Sequence, residues 1–276
     1  MKAIVISGAS TGIGFRLAQV LAENGYRVYA GARQHADLTR LSEAHPNIIA
    51  VELDVTDESQ VTRLIDQLEN EELFALINNA GIATIGPVEI ITPEELSAQL
   101  QVNIVGCYRM IRACTPLLRR SRGRIVNISS TSGLVAWPFA GPYVASKYAL
   151  EGLSDTLRVE LGRFGIRTVL INPGAVATPL WEKTFSAIAA RMDQHDDAVQ
   201  SLYAPDMARS EKVVRKTIQS AVPPDTVVNV VLKALRSSSP KPRYLVGPSA
   251  HLQQWLKMLL PVSCYDWLKS KIVYGS

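Results

Sequence analysis

The chain has 276 residues, 47% of them hydrophobic and 20% charged, and its formal net charge at pH 7 is +4. This is the profile of an ordinary soluble globular protein, and the length allows one large α/β domain or two small ones. The one dense basic cluster, "RRSRGR" at 119–124, falls between a helical pattern and a strand. We interpret it as a solvated loop, and we expect no nucleic-acid partner.

The spacing of cysteine and histidine argues against two kinds of site. Cys107, Cys114 and Cys264 form no CxxC pair and no even-numbered set, and the four histidines are dispersed. We therefore predict neither a disulfide framework nor a metal site. The first strand runs directly into a glycine turn, which leaves no room for a signal peptide, and no apolar run reaches the roughly 18 residues of a membrane span. These features favour a cytoplasmic protein.

Short β-branched segments along the chain are predicted to be strands. Several are apolar throughout, as strands covered on both faces should be. The predicted strands lie at 2–7, 26–31, 47–53, 73–78, 123–129, 166–172 and 243–247.

Helical patterns separate these strands. Thr and Asp caps, early acidic residues and Pro93 mark the starts of two of the helices. The alternation of strand and helix indicates βαβ units with right-handed crossovers, and no repeat or linker divides the chain. We predict a single Rossmann-like domain over 1–276, a doubly wound parallel sheet of about seven strands flanked by helices. The helices are expected near 12–23, 34–44, 57–70, 93–119, 142–163 and 224–236.

Two segments depart from this rhythm. Residues 179–225 are polar and helical in places, and an insertion of this length in a compact fold is usually a lid or binding segment. Residues 250–273 form an amphipathic tail with a Trp/Leu/Met stripe. We interpret the stripe as core or subunit interface, with a membrane-surface helix as the alternative.

A glycine-rich turn follows the first predicted strand and opens a helix. In "SGASTGIG", Gly8, Gly12 and Gly14 allow a tight turn, a close approach of the backbone to a phosphate, and close packing of helix on strand. The helix N-terminus offers free N–H groups and a positive dipole end to an anion. This combination predicts a dinucleotide site.

The end of the second strand indicates which dinucleotide binds. A carboxylate there would bind the ribose hydroxyls of NAD, but the chain has Ala32 followed by Arg33. A small neutral residue and a guanidinium suit the 2′-phosphate of NADP, and Ser10 could add a hydroxyl. Thr11 is not basic, so one of two common NADP features is missing, and Arg33 could be an ordinary exposed charge. We prefer NADP to NAD.

A tyrosine and a lysine stand four residues apart in "YVASK", at the start of a helical pattern. Tyr143 and Lys147 therefore share a helix face. A free phenol, with a pKa of about 10, is a poor base near pH 7. An ammonium about 4 Å away favours the phenolate form. The alternative is a helix surface that exposes both side chains to water.

With the glycine turn and this pair together, the chain resembles the short-chain dehydrogenase/reductase family, closely over about residues 2–180. It is most similar to the hydroxysteroid and retinol dehydrogenase branch. The resemblance implies a catalytic tetrad of Asn103, Ser130, Tyr143 and Lys147, with Ser130 thirteen residues before Tyr143. Tyr143 would exchange a proton with the substrate oxygen and Ser130 would hydrogen-bond it, while Asn103 would hold a relay water.

The resemblance also implies a set of cofactor contacts. "LDVTD" contains the acid near the adenine ring, "NNAG" follows the fourth strand, and "NPGAVATP" is similar to the loop beside the nicotinamide. Lys147 would also hold the nicotinamide ribose. The implied contacts are Gly8, Ser10, Gly12, Ile13, Gly14, Arg33, Asp54, Val55, Asn79, Ala80, Gly81, Tyr143, Lys147, Pro173, Gly174, Val176 and Thr178.

The expected function is an NADP(H)-dependent oxidoreductase that interconverts a lipophilic, steroid- or retinoid-like alcohol and its ketone or aldehyde. Trp137, Pro138, Phe139 and Trp181 could form an apolar wall for the substrate, or could equally belong to the core. The alternatives are a reductase of 3-oxoacyl or other small carbonyl substrates, a non-catalytic NADP-binding sensor, and another Rossmann enzyme such as a methyltransferase. Members of this family often form homodimers or homotetramers, here through the helices at 93–119 and 142–163.

Overall fold

Seven parallel strands form one sheet at the centre of the molecule, in the order β3-β2-β1-β4-β5-β6-β7. The computed structural model describes residues 1–194 and 196–275. All seven predicted strands are confirmed, each within a few residues of its expected bounds. They are β1 (Ala3–Ile6), β2 (Arg27–Ala32), β3 (Ile48–Glu52), β4 (Leu73–Asn78), β5 (Arg124–Ile128), β6 (Arg167–Pro173) and β7 (Arg243–Val246).

Helices cover both faces of this sheet, so the predicted doubly wound fold is confirmed. Because β1 has β2 on one side and β4 on the other, the strand order reverses direction at β1. Ligands of such sheets bind in the crevice at this point, at the carboxyl ends of the strands. The helices are α1 (Gly12–Glu23), α2 (His35–Ala44), α3 (Glu58–Gln67), α4 (Pro93–Leu100), α5 (Cys107–Ser121), α6 (Gly141–Gly162), α7 (Leu180–Met192), α8 (Asp197–Gln219), α9 (Pro224–Arg236), α10 (Pro248–Leu259) and α11 (Val262–Tyr274).

Successive residues of β1 illustrate how the core is divided. Ile4 and Ile6 belong to the apolar cluster on one face of the sheet, and Ala3 and Val5 belong to the cluster on the other. Side chains alternate across a strand, so a strand that is covered on both faces must be apolar at every position. This explains the unbroken apolar runs in the sequence.

The predicted helix starts at α3 and α4 are made by local capping. The Asp57 carboxylate accepts hydrogen bonds from the backbone N–H groups of Ser59 and Gln60. At α4, Thr92 and Glu95 form a reciprocal capping box in front of Pro93. Each cap satisfies N–H groups that have no partner inside the helix, and this is why these short sequences begin helices.

The helix predicted at 93–119 is not continuous. A π-helical segment, Gln101–Gly106, separates α4 from α5. Gly106 packs so closely on Val55 that an added Cβ would lie 2.5 Å from the valine Cγ2. The wider helical turn therefore coincides with a tight tertiary contact, and π-helical turns are frequent at functional sites.

The two segments that broke the sequence rhythm are helical. Residues 179–225 contain α7 and α8, and a bridge between Val176 and Val222 joins the two ends of this segment. The tail is two helices, α10 and α11, separated at Leu260–Pro261. Its apolar stripe is largely exposed, so its interpretation as core is wrong for the single chain. Within the described ranges, no helix combines the length and apolarity needed to cross a bilayer.

Candidate active site

The glycine turn lies directly above the carboxyl end of β1. Gly8 and Gly12 have positive φ angles of 65° and 56°, which other residues rarely adopt. An added Cβ on Gly14 would lie 2.3 Å from the Gly8 carbonyl oxygen, and one on Gly12 would lie 3.1 Å from Thr178 Cγ2. The conformation of the turn therefore requires glycine at these three positions. Ser10 and Ile13 lie in the same segment and are partly buried.

The segment after β4 is bound to this turn. Asn79 Nδ2 donates to the Gly8 carbonyl oxygen at 2.7 Å, and the hydroxyl of buried Ser7 accepts from the backbone N–H groups of Asn79 and Ala80 at 3.1 Å each. Gly81 follows at the surface, beside Asn103. The structure thus brings the predicted residues of β1 and β4 to one edge of the crevice.

Two guanidinium groups, one just after β2 and one on α2, lie near the glycine turn and Asp54. Arg33 is exposed, and its Nη1 lies 3.6 Å from Asp54 Oδ2. Arg40, on α2, donates to the backbone carbonyl of Ser10 and to Asp37 at 2.8 Å, and it stacks over Phe15. Arg40 was not predicted as a site residue, because its approach to the glycine turn depends on how α2 packs against α1.

Asp54 and Val55 follow β3 beside these cations. Burial raises the pKa of Asp54, but hydrogen bonds from Thr56 and the charge of Arg33 outweigh burial, so the pKa lies below its ordinary value. Val55 is buried in the core, and its carbonyl accepts from Arg109 at 2.6 Å. Asp54 is therefore an ionised group at the crevice edge.

Tyr143 and Lys147 lie one turn apart on α6, as predicted. Lys147 is only 7% exposed, and its Nζ donates to the carbonyl oxygen of Ile128, at the end of β5, at 2.9 Å. The same Nζ lies 5.7 Å from the centre of the Tyr143 ring. The alternative of two side chains shown to water is therefore wrong for Lys147. A buried ammonium is costly to desolvate, and its hydrogen bond holds it beside the phenol.

Ser130 lies two residues beyond the end of β5 and begins a short 3-10 turn, Thr131–Gly133. Its hydroxyl accepts from the backbone N–H of Ser132 at 3.1 Å, and its carbonyl accepts from Asn172 Nδ2 at 3.2 Å. The hydroxyl is partly exposed and still has a proton to donate. The β5–α6 connection thus brings Ser130 to the same end of the sheet as Tyr143.

Asn103 lies in the π-helical segment and is almost fully buried. Its Oδ1 accepts from the backbone N–H of Ile82 at 2.9 Å, and its Nδ2 donates to the Ile82 carbonyl and to Ser146 Oγ, each at 3.0 Å. Ser146 Oγ in turn donates to the Tyr143 carbonyl at 2.7 Å. Asn103 therefore joins the loop after β4 to the first turns of α6.

The loop after β6 closes the other side of the crevice. Pro173 ends β6, and Gly174 is packed against Ser249 so closely that an added Cβ would lie 2.2 Å from its Oγ. Val176 is buried and its carbonyl accepts from Trp181 Nε1 at 2.9 Å. Thr178 lies beyond it, in contact range of Gly12. The predicted residues of β1 and β6 are therefore brought together.

Glu151 is a buried carboxylate that the sequence reading did not single out. It is 6% exposed and lies one turn beyond Lys147 on α6. Its Oε1 accepts from Ser129 Oγ at 2.5 Å and from Asn172 Nδ2 at 2.7 Å, and its Oε2 accepts from Arg243 Nε at 2.8 Å. One side chain thus links β5, β6 and β7 to α6.

Three aromatic residues considered for a substrate wall lie in the β5–α6 connection and in the first turn of α7. Trp137 Nε1 donates to Gln253 Oε1 at 3.3 Å, and the Phe139 carbonyl accepts from the Gly86 N–H at 2.7 Å. Phe139 has a positive φ of 62°, a strained conformation for a residue with a bulky side chain. Trp137, Phe139 and Trp181 are half-buried, and none belongs to either apolar cluster of the sheet.

The described residues contain no metal-binding cluster, and the buried thiol near Lys147 is unreactive. In residues 1–194 and 196–275, no group of three or more His, Cys, Asp or Glu could hold a metal ion. Burial raises the pKa of the Cys107 thiol to about 12, despite the nearby Lys147 charge. A thiol in that environment stays protonated and unreactive near neutral pH.

Known proteins with similar sequences indicate the family to which this chain belongs. The family model described as short chain dehydrogenase matches residues 2–189. The 3-ketodihydrosphingosine reductase of Bacteroides thetaiotaomicron is 34% identical over 248 residues, covering 89% of this chain and 87% of the relative. Human 17-beta-hydroxysteroid dehydrogenase type 1 is 34% identical over 252 residues, covering 87% and 76%.

Solved structures show the same fold. A short chain dehydrogenase from Burkholderia cenocepacia, solved in complex with NADP, aligns with a TM-score of 0.72 and 26% identity, over 95% of this chain and all of that one. Fold and site together are those of an oxidoreductase on a dinucleotide-binding sheet. The chain belongs to the short-chain dehydrogenase family. It therefore acts on CH–OH or carbonyl groups.

Proposed function

We propose that this protein is an NADP(H)-dependent oxidoreductase that interconverts a lipophilic alcohol and its ketone or aldehyde, with Tyr143 as the acid and base. The observation that carries the proposal is the buried ammonium of Lys147, fixed on the Ile128 carbonyl and 5.7 Å from the Tyr143 ring. The phenol of Tyr143 therefore lies beside a fixed cation, and a positioned tyrosine hydroxyl is a group that can exchange a proton with a substrate oxygen.

Each member of the tetrad has a distinct role in this proposal. During reduction, Tyr143 gives its proton to the carbonyl oxygen of the substrate, and during oxidation it takes the proton from the alcohol. Ser130 donates a hydrogen bond to the same oxygen and fixes its position. Lys147 holds its ammonium group beside the phenol and would also bind the ribose hydroxyls of the nicotinamide. Asn103 holds the β4 loop against α6, and we retain the relay water as its further role.

The cofactor proposal rests on the fit of the crevice to a dinucleotide phosphate. When bound, NADPH would give a hydride to the carbonyl carbon, and NADP⁺ would accept one from the alcohol. Gly8, Gly12 and Gly14 leave room for the diphosphate at the start of α1, where free N–H groups favour an anion. Ala32 places no carboxylate against a 2′-phosphate, and Arg33 is exposed beside it. The NADP complex of the related Burkholderia cenocepacia protein supports this choice, and NAD is the less favoured alternative.

The remaining cofactor contacts follow from the crevice walls. Asp54 and Val55 would face the adenine, and the segment Asn79–Gly81 would line the middle of the cofactor. The loop containing Pro173, Gly174, Val176 and Thr178 would hold the nicotinamide end. Its closeness to Gly12 supports this, because one elongated ligand could then contact both.

The proposed substrate class rests on the apolar rim and on the relatives. Trp137 and Phe139 belong to the connection between Ser130 and Tyr143, and Trp181 lies in the first turn of α7; all three are half-buried. With α8, α7 forms the proposed lid. The two relatives are named for a sphingoid ketone and a hydroxysteroid, both lipophilic. A reductase of 3-oxoacyl or small carbonyl substrates is the alternative on the same machinery.

A non-catalytic NADP-binding sensor is the candidate from another class. It has no need for Ser130 beside Tyr143, so the filled tetrad disfavours it. We further propose a homodimer or homotetramer through α5 and α6, whose surfaces expose Tyr108 and Val159. We place the protein in the cytoplasm, where Cys107 and Cys114 would remain free thiols, as they are here.

Oxidation of NADPH and of NADH, measured with a panel of carbonyl compounds, tests the proposal. We expect NADPH to be preferred, and a long-chain or steroid ketone to be reduced faster than a small polar ketone. The reverse order of ketones would support the small-carbonyl alternative. A protein that binds NADPH but oxidises it with no carbonyl compound would be the sensor.

A further inference from the structure

The tail helices expose an unusual amount of apolar surface. Six large side chains of α10, α11 and their connection are each between 59% and 78% exposed. On α10, positions 252, 255 and 259 share one helix face. We call these six residues the tail surface: Leu252, Trp255, Met258, Leu259, Val262 and Trp267. Monomeric proteins rarely expose an apolar patch of this kind unless it binds something.

Two lysines of the tail helices contact the domain, while the tail surface on the same helices is exposed. Lys257 Nζ donates to the Leu134 carbonyl and to Tyr148 Oη, and Lys269 Nζ donates to the Ala136 carbonyl at 3.3 Å. An ordinary surface helix turns its apolar face to the core and its lysines to water. Here Lys257 and Lys269 contact the domain, and the inward side also buries a few apolar residues such as Tyr265. The tail surface is left exposed and is available to a partner.

The charge of this end of the chain indicates the kind of partner. Residues 226–276 contain seven Lys and Arg and one acidic residue, a formal charge of +6. The whole chain carries +4, so residues 1–225 carry −2. Arg243 in this segment is paired with Glu151 and Asp155, and the tail helices themselves carry three lysines and one aspartate. The positive excess that remains favours an anionic surface. A second copy of the chain would bring the same positive segment against itself, which disfavours a symmetric contact here.

We propose that the tail surface docks this protein on an anionic lipid bilayer. Outward Trp, Leu and Met side chains with a basic residue beside them are typical of helices that lie in a membrane interface. Lys271 lies 5.8 Å from the Trp267 ring and would reach the lipid headgroups from beside it. An apolar groove of about 440 Å³, lined by Leu260, Cys264 and Trp267 among others, adds depth for acyl chains.

Docking would place the rim of the active site at the bilayer. The tail is bonded to the loop between Ser130 and Tyr143 through Lys257, Lys269 and Gln253. A lipophilic substrate concentrates in a bilayer, so the crevice would open where that substrate is found. This advantage rests on the proposed function, whereas the docking itself does not.

Sedimentation of the full chain with lipid vesicles tests the proposal. We expect the protein to sediment with vesicles of phosphatidylcholine and phosphatidylglycerol, far less with phosphatidylcholine alone, and less as salt is raised. Trp fluorescence should shift to shorter wavelength on binding, since Trp255 and Trp267 enter the interface. This measurement needs no variant.

Matched variants localise the contact. Trp255→Gln and Leu259→Gln should each weaken vesicle binding by about tenfold, and Lys271→Gln should weaken binding to anionic vesicles alone. Val88→Gln, at a valine 84% exposed outside the tail surface, should leave binding unchanged. Tyr143→Phe should also bind normally, so loss of catalysis and loss of docking are separable.

Three results would overturn the proposal. The first is no sedimentation and no fluorescence shift with anionic vesicles. The second is an equal loss of vesicle binding in Val88→Gln. The third is a dimer, seen by light scattering, that Trp255→Gln or Leu259→Gln converts to a monomer while vesicle binding is absent. That last result would assign the tail surface to a second copy of the chain.

Discussion

The carboxylate of Glu151 accepts a hydrogen bond of 2.5 Å from the hydroxyl of Ser129, the residue immediately before Ser130. Through its other contacts it also holds Asn172, whose amide donates to the Ser130 carbonyl, and Arg243. Glu151 touches no reacting atom in the proposed mechanism. It is a positioning residue for the serine and for the loop after β6.

Glu151→Gln should therefore lower kcat by about tenfold, since a displaced hydrogen bond to the substrate oxygen weakens transition-state stabilisation. The KM for the nicotinamide cofactor should rise as well, because Asn172 precedes the loop proposed to hold it. Arg243 would keep its ion pair with Asp155 but lose the one with buried Glu151, which should lower the free energy of unfolding by about 1 kcal/mol. Steady-state kinetics and urea unfolding measure these effects. Glu160→Gln, an exposed site on the same helix, is the control, and equal kinetics in both variants would contradict the positioning role.

Tyr143→Phe should reduce kcat by about three orders of magnitude, because the variant has no proton to give to the substrate oxygen. Binding of NADPH, followed by fluorescence titration, should change by no more than a few-fold. Tyr148→Phe is the matched control, because that hydroxyl donates to the Leu134 carbonyl and faces the tail. Near-normal turnover in Tyr143→Phe would remove this residue from the mechanism.

Arg33→Asp should reverse the preference of NADPH over NADH. The substitution removes a cation from the proposed 2′-phosphate site and adds a carboxylate that repels the phosphate and suits the ribose hydroxyls. Binding of 2′,5′-ADP to the protein should weaken by at least about tenfold, while binding of AMP should not weaken. Arg63→Asp, at an exposed position on α3, is the control and should change neither the cofactor preference nor the binding of 2′,5′-ADP. A wild-type protein that already favours NADH would show that our interpretation of Arg33 is wrong.

Acid should weaken the ion pair between Asp155, on α6, and Arg243, on β7. Partial burial raises the pKa of Asp155, but hydrogen bonds from Arg243 and Arg158 outweigh burial, so the pKa lies below its ordinary value. A carboxylate with a lowered folded-state pKa stabilises the fold above its unfolded pKa, near 3.9, and loses that contribution as pH falls through the folded value. Asp155→Asn should therefore be less stable than wild type at neutral pH, and the difference should shrink near pH 3.

Urea unfolding at several pH values measures this difference. Asp66→Asn, at an exposed position on α3, is the control and should track the wild type throughout. A gap between Asp155→Asn and wild type that stays constant from neutral to acid pH would mean that the charge of Asp155 does not stabilise the fold.

The sheet could be predicted from the sequence because its signals are local. Each strand is a short apolar run bounded by turn residues, and burial on both faces demands that composition. The glycine turn and the Tyr143–Lys147 spacing were equally visible. Since parallel strands present their carboxyl ends at one edge, these motifs had to meet in the crevice.

The remaining features depend on contacts between distant segments. The π-helical turn before Gly106 lies against Val55, and nothing in the periodicity of residues 93–119 marks it. The buried state of Glu151 depends on the neighbouring order of β5, β6 and β7. A signal did exist, because extending the spacing from Tyr143 to Lys147 by one further turn reaches Glu151. The exposure of the apolar stripe of the tail could not be predicted, because an amphipathic sequence does not show whether its apolar face packs on the domain or is exposed.

The pair of Glu151 and Arg243 has a consequence for protein engineering. Family members are attractive parents for chimeras that join the nucleotide-binding part of one protein to the substrate-selecting end of another. In this protein such a junction, placed anywhere between α6 and β7, separates an acid from the base that neutralises it. A donor segment must therefore bring its own arginine at the start of the last strand, or the recipient must give up its glutamate.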